Sequence, residues 1–438
     1  MLSKVIKRLV IVGWSFFFSI GLYAQQDTLC LSLQQLFERG TKQHLQLAAD
    51  RLKEEMAHER AMTARASRLP ELNVGLKSGF LGQPIVWQNG MSTPTYPESP
   101  DWQQNYVIDF SQPIYQGGKI RYAIRQADLE QEIARLQTVT DQAEIKLVLL
   151  EQYLNLFSLY KQHFVLNRKI DESERRLKDI RQLKAEGIIT NNDVLRSEMQ
   201  LTNDRLLKNE TENNICIVSQ QLDILIGLDE HLLLIPDTTL LSQECPIIDY
   251  DDYIGCAVLS DPALLLIRKQ TELAENNIRL IRAEQLPHLS LTASNTLARP
   301  VSRTLADMYN NSWNIGLSFS YPISSFYRNR HRIREARQNV LLMQNAEEQK
   351  QQHIRMNVQT ALLKHREAID RVDALRLSVR QAEENYRIMQ NRYMNQLAIL
   401  TDLLDADNLR LNAELQLTTA RTQVIYTYYE LQRAIGAL

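Results

Sequence analysis

Of the residue groups in this chain that could carry chemistry, most fail on spacing. Gly117-Gly118-Lys119 suggests a phosphate-cradling loop, but that motif needs glycine where Pro113 stands and a hydroxyl where Ile120 stands. The histidines (His44, His58, His163, His231, His288, His331, His353, His365) include no pair at metal-ligand spacing, nor do Cys30, Cys216, Cys245 and Cys256. Cys245 and Cys256 share one segment and could pair. There is no Gly-x-Ser-x-Gly and no zinc-protease motif, so neither an enzyme nor a cofactor is expected. What remains is a pair of acids, Asp402 and Asp405, three apart in a long helical pattern. Such a pair can serve as solvated acids or a cap at a helix start, or gather negative charge where cations pass.

The pair has an echo 209 residues earlier, where Asp193 stands for Asp402 and Leu195 for Leu404. At that offset the match runs without a gap from Pro113 to Gly227: Pro113 meets Pro322, Ile124 meets Ile333, Ala127 meets Ala336, and Ile226-Gly227 meets Ile435-Gly436. The chain is one unit written twice. We divide it into an export signal (1–24), a first repeat (25–228), a linker segment (229–260) and a second repeat (261–438). Lys4, Lys7 and Arg8 form the charged part of the signal, Leu9–Leu22 its apolar part, and Ala24 the last residue before cleavage.

The elements positioning the acids follow from the breakers. With 14 glycines, 12 prolines and 23% charged residues, the composition is that of long helices. Each repeat begins with a helix, Ser32–Leu69 in the first with Ser32 as its cap, and ends in a helical hairpin. The first arm of each hairpin runs about seventy residues without proline or glycine, ~105 Å of helix. A seam at steps of four and three (Ile354, Val358, Ala361, His365, Ala368, Val372 and onward to Tyr386 and Tyr393) packs these arms side by side as coiled coil. The turns fall at Gly187 and at Gln396. Net charge is −2, with no concentrated basic face of the kind nucleic acid requires.

Between first helix and hairpin each repeat carries two strands, about 71–80 and 104–113, then 288–297 and 312–322, with a loop over 80–102 in the first copy. Tyr106, Ile108 and Phe110 share one side of the second; Trp313, Ile315, Leu317, Phe319 and Tyr321 share one side of the fourth, opposite small and polar residues. Strands of about ten residues with one apolar and one polar side suit a membrane barrel. Four strands cannot close one, so the chain must oligomerise: a dimer would supply eight, a trimer twelve. A water-exposed sheet on a periplasmic coiled-coil scaffold or adaptor without a pore is the alternative.

The paired helix–Leu-Pro–strand units (Leu69-Pro70, Leu286-Pro287), the strand–Pro–turn–helix passages and Asp402-Leu403-Leu404-Asp405-Ala406 together resemble the outer membrane efflux family. These are the TolC-type channels of Gram-negative tripartite pumps and type I secretion systems, and the resemblance spans residues 31–438. It implies a mostly α fold with a membrane β-barrel: long antiparallel coiled-coil helices form a periplasmic tunnel, and four strands per chain join a trimeric twelve-stranded barrel. Residues 229–260 and the termini would form a belt. It also implies a passive homotrimeric exit duct in the outer membrane, opened by a periplasmic adaptor and coupled through it to an inner membrane transporter.

Asp402 and Asp405 would then form an acidic ring of six carboxylates at the periplasmic mouth, and Tyr393 would help hold the gate shut. The family's basic latch residue is missing, since its position holds Ala398; Arg392 and Arg410 are the nearest substitutes. Gly187, Ile188, Thr190, Leu195 and Gln396 would meet the adaptor, Gln396 standing where the family pattern has glycine. The ten methionines form no Met/His cluster that would suggest copper or silver as cargo.

Overall fold

In the computed structural model, residues 28–88, 90–98, 100–237, 239, 249–299 and 307–438 are described; the expected export signal and Cys245 lie outside them. Backbone contacts divide the chain into two compact units, each drawing on both repeats. One comprises residues up to Ala48, Asp141–Ser260 and Ile354–Leu438; the other comprises Ala49–Thr140 and Asp261–His353.

The second unit contains a four-stranded antiparallel sheet of β2 (Glu71–Phe80), β5 (Trp102–Gln116), β7 (His288–Arg299) and β8 (Asn310–Ser320), in that order. Register puts Leu72, Val74 and Leu76 opposite Phe110, Ile108 and Tyr106. Phe110 pairs with Ala293 and Tyr106 with Leu297; Leu289, Leu291, Ala293 and Asn295 then meet Phe319, Leu317, Ile315 and Trp313. Because side chains alternate along a strand, all of these share one face. That face is bare: Val74 is 77% exposed, Ile315 68% and Phe319 69%. The opposite face carries Asn73, Asp109, Ser294 and Asn314 in one row, with Ser294 Oγ donating to Asp109 Oδ1 at 2.7 Å. Tyr321 lies one residue beyond β8.

Three sequence expectations change here. Pro113 does not end its strand: β5 continues to Gln116 through an irregularity between Pro113 and Tyr115, where the missing proline N–H is tolerated. The expected loop over 80–102 contains a small hairpin, β3 (Val86–Gln88) with β4 (Thr93–Thr95), too short to show a period. The single helix expected over Ser32–Leu69 is two, α1 (Leu33–Gln43) and α2 (Leu45–Ala66). Ser32 does cap α1, accepting from Gln35 N while Gln35 Oε1 accepts from Ser32 N. The break at His44 is stabilised by its own ring, whose Nδ1 accepts from Gln46 N, a cap that no breaker residue announces.

Gly117 and Gly118, at φ +61° and +84°, turn β5 into α3 (Lys119–Ala185). A Cβ on Gly117 would lie 2.6 Å from the Ala283 carbonyl at the end of α6 (Pro262–Ala283), so both the backbone angle and the space demand glycine.

The first unit holds the C-terminal parts of the long arms α3 and α7 (Ser325–Met394) with their partners α4 (Asn191–Ile226) and α8 (Leu400–Ala434). Segment 229–260, read from the sequence as a linker, contains β6 (Leu233–Pro236), paired in parallel with β1 (Thr28–Leu31), and α5 (Tyr250–Ser260). Tyr153 ties this belt to α3. Its hydroxyl donates to Leu31 O at 2.7 Å and accepts from Asp237 N at 2.8 Å, and burial pushes it up to about 12.

One group in this core is out of keeping with it. Asp223 of α4 is fully buried, and neither carboxylate oxygen has a hydrogen-bond partner among the described residues. Burial first, and the nearby Asp229 carboxylate second, push it up to about 7. Between about pH 4 and 7 the folded chain therefore holds a proton that the unfolded chain has released. Stability falls as pH rises through that window and levels off above it. Asp223→Asn is expected to remove this slope and to add about 2 kcal/mol at pH 8, read from thermal denaturation of the purified protein as a function of pH.

Candidate functional site

The two hairpin turns repeat down to individual hydrogen bonds. Ile188 N donates to Leu183 O at 2.9 Å, and Leu397 N donates to Arg392 O at 2.8 Å, the same six-residue closure 209 positions apart. Both turns need a left-handed residue, Gly187 at φ +75° and Gln396 at φ +60°. Gln396 is the one non-glycine residue with positive φ among the described residues. Arg392 donates to Leu397 O and so closes its own turn rather than reaching another hairpin. Ile188, Leu195, Leu397 and Ile399 are exposed around the turns, a small apolar tip.

The next step separates the copies. In α4, Asp193 accepts from Thr190 N at 3.1 Å and from Thr190 Oγ1 at 2.8 Å, so its carboxylate is spent on starting the helix. In α8 the matching positions are Asp402 and Ile399, which has no side-chain oxygen or hydroxyl to answer it. Asp402 and Asp405 are exposed and make no side-chain hydrogen bond or ion pair among the described residues, while Leu403 and Ala406 beside them are buried. Tyr393 is buried in the apolar cluster of Ile180, Val194, Leu400 and Leu403, its hydroxyl without a partner among the described residues. Burial, then the Asp193 carboxylate, raises that hydroxyl's pKa. The structure thus separates Tyr393, which faces inward, from the two acids, which face out.

Above the turns lies a charged cluster that sequence reasoning missed, apart from Arg410. Arg176 of α3 reaches Asp407 of α8 at 2.9 Å and Ser173 at 2.9 Å. Arg410 bonds Asp407 at 3.0 Å, pairs with Glu172, and stacks 4.0 Å from the ring centroid of Tyr386 on α7. Lys169 donates to Asn408 Oδ1 at 2.8 Å and lies 3.4 Å from Asp204 of α4, which accepts from Ser173 and Gln200. Three cations and three anions balance, and Lys169, Asp204 and Asp407 are at most 4% exposed. All four helices of the two hairpins are joined through these groups. The repeat gave no hint of it: 209 residues from Lys169, Arg176, Asp204 and Asp407 stand Ser378, Asn385, Ala413 and Glu198. The available signal was charge on inward seam positions beside Leu201 and Leu403.

The model of the outer membrane efflux protein family matches residues 37–228 and 254–437, nearly all of both repeats. The chain belongs to that family. Outer membrane protein TolC of Escherichia coli is 24% identical over 430 residues, covering 93% of this chain and 82% of that protein. Among solved structures, CusC superposes with a TM-score of 0.79 at 15% identity over 96% of both chains. VceC of Vibrio cholerae gives 0.74 at 18% identity over 92% of this chain and 96% of that one.

The chain is therefore an outer membrane efflux channel of the TolC family with a large periplasmic helical part, a transport protein and not an enzyme. The family is one of trimeric outer membrane channels of tripartite efflux systems. A pore-free scaffold, the alternative from sequence, gives way to this membership. No helix among the described residues is long and apolar enough to cross a membrane.

Two expectations test the geometry. Asp407→Asn leaves two largely covered guanidinium groups without their shared anion, Arg410 keeping only Glu172, and should cost about 3 kcal/mol. Replacing Arg176, Asp407 and Arg410 together with Met, Leu and Met should recover most of it, both read as shifts of the unfolding transition. At the turns, Gly187→Ala should loosen its hairpin by about 1 kcal/mol whereas Gln396→Gly should not, measured as amide exchange of the adjoining residues.

Proposed function

We propose that the chain works as one third of a passive exit duct, a homotrimer whose twelve strands close a barrel. The observation that carries this is the sheet: one mainly apolar bare face, one mainly polar face, and two edges, β2 and β8, without a neighbour among the described residues. Unpaired edges are not tolerated in hydrocarbon, so another copy must meet them, β8 against β2. Tyr106, Ile108, Phe110, Trp313, Ile315, Leu317, Phe319 and Tyr321 then face lipid, and Asn73, Asp109, Ser294 and Asn314 face the lumen. Residues 1–24 are the export signal that delivers the chain across the inner membrane.

Asp402 and Asp405 gather six carboxylates at the periplasmic mouth, where they favour cations and bind multivalent ones. Their freedom from any partner, against the committed Asp193, supports this reading. Tyr393 packs the hairpin ends behind them. Arg410, tied to Glu172 and Asp407, takes the latch role that Ala398 vacates, while Arg392 serves its own turn. The exposed tips (Gly187, Ile188, Thr190, Leu195, Gln396) receive a periplasmic adaptor, whose binding competes with the buried charge contacts and opens the mouth. Energy comes from an inner membrane transporter engaged through the adaptor.

Single-channel recording in planar bilayers tests the mouth. Wild type should give small, cation-selective conductance blocked by trivalent cations, and Asp402→Ala with Asp405→Ala should weaken the block by about tenfold while the pore persists. An identical block in the double variant would remove the acids from the mouth and leave the channel standing.

A further inference from the structure

The opening turns of α7 carry an unusual charge. Residues 328–337 contain five arginines (Arg328, Arg330, Arg332, Arg334, Arg337) and His331 against one acid, Glu335. Arg330, Arg334 and Arg337 recur at steps of four and three, and Tyr327 and Leu341 continue that line at either end. All five side chains of this stripe are exposed, on the side of the helix away from buried Asn329 and Ala336. The arrangement breaks a local rule, since like charges three and four residues apart on a helix repel. A cost of this kind, without compensation inside the fold, points to a partner outside it.

The first repeat makes the contrast internal to the molecule. At the same places in α3 stand Arg121, Arg125 and Asp128. Arg125 pairs with Glu272 and Asp128 pairs with Arg65, both at 2.9 Å. In α7 the flanking Arg332 pairs with Glu284 at 2.7 Å, whereas Arg330, Arg334 and Arg337 have no ion pair among the described residues. One copy pairs two of its three charges and leaves Arg121 without an ion pair among the described residues; the other leaves three arginines open in a row.

Position supplies the remaining step. The three arginines begin ten residues after the last strand residue, Ser320, and between them Tyr321, Ile323, Phe326 and Tyr327 are exposed, with Tyr321 and Phe326 edge to face at 6.0 Å. The bare apolar face of β8 thus passes into aromatic residues and then into arginine, the order met on leaving hydrocarbon for headgroups. We propose that Arg330, Arg334 and Arg337, with Tyr327 as the aromatic anchor, bind the phosphodiester headgroups of anionic phospholipid in the membrane leaflet that faces the periplasm. This rests on the membrane reading of the sheet. Guanidinium forks suit phosphate oxygens, and a row of three favours a lipid carrying more than one phosphate.

The test uses the full chain, purified in detergent as its oligomer and stripped of lipid. Cardiolipin should raise the apparent Tm of the wild type by about 5 °C, and phosphatidylethanolamine should not; high salt should abolish the rise. Arg330→Gln/Arg334→Gln/Arg337→Gln should lose most of it, and the matching triple lysine variant should keep at least half. An equal rise in the glutamine variant, or an equal response to the zwitterionic lipid, overturns the proposal. Loss of the oligomer in the glutamine variant before lipid is added assigns the stripe to a neighbouring subunit instead, and altered ion selectivity of its pore assigns it to the channel wall. Wild-type conductance in that variant shows that the membrane reading stands whichever way the lipid result falls; failure of the wild type itself to form a pore would remove the membrane reading beneath both.

Discussion

A backbone amide in hydrocarbon has no water to turn to, and that constraint governs the architecture of this chain. The sheet exposes an apolar face that suits lipid, yet its four strands leave β2 and β8 each with an edge unpaired among the described residues. One copy can neither stay in water comfortably nor enter a membrane alone. Closure by further copies removes both problems together, which is why oligomer and membrane insertion are one requirement here. The adjacency of β5 and β7 serves the same end: it joins the two repeats inside one sheet, so that a single pair of edges per chain remains to be matched.

The helical part solves a different problem. Four long helices packed by an apolar seam gain stability from burial, which is non-directional, and the cluster of Ile180, Val194, Tyr386, Tyr393 and Leu403 holds the two hairpins together near their turns. The six charges around Arg176 and Asp407 supply register. Desolvating them makes the cluster a poor source of net stability, and breaking any one pair is expensive. Such a joint is all or nothing: it holds one arrangement and, once its charges are rehydrated, holds nothing. That suits an end that must have two discrete states, as the proposed mouth does.

The framework was legible in the sequence because its signals are periodic. The 209-residue repeat, the alternation in Trp313–Tyr321 and the breaker-free arms each predict an element on physical grounds, and α3, α7 and β8 appear as such. What escaped was aperiodic. β6, at four residues, is too short to show a period; the His44 break depends on a ring nitrogen that could equally have pointed to solvent; Pro113 reads as a stop because one strand alone does not reveal a bulge opposite Ser290 and Leu289. The charged cluster was hidden for a deeper reason. Lys169, Arg176 and Asp407 read as surface residues unless the facing helix is known, and their partners lie more than two hundred residues away along the chain or on the opposite arm.

Internal duplication turns this difficulty into a method. Two copies that began as the same unit face the same backbone demands, so any position where they differ under identical geometry needs a separate cause. Asp193 and Asp402 occupy the same helix turn, yet one is held by Thr190 and the other faces Ile399 and stands free. Gly187 and Gln396 occupy the same left-handed position, and glutamine bears a strain that glycine does not. Arg125 and Arg334 occupy the same helix face, one ion-paired and one open. Structure alone explains the first member of each pair. The second member lacks that partner or carries that strain, and the three differences fall at the acids assigned to the mouth, at the turn assigned to the adaptor, and beside the face assigned to the membrane. Broken symmetry of this kind marks the places proposed here for contact with something other than the channel itself.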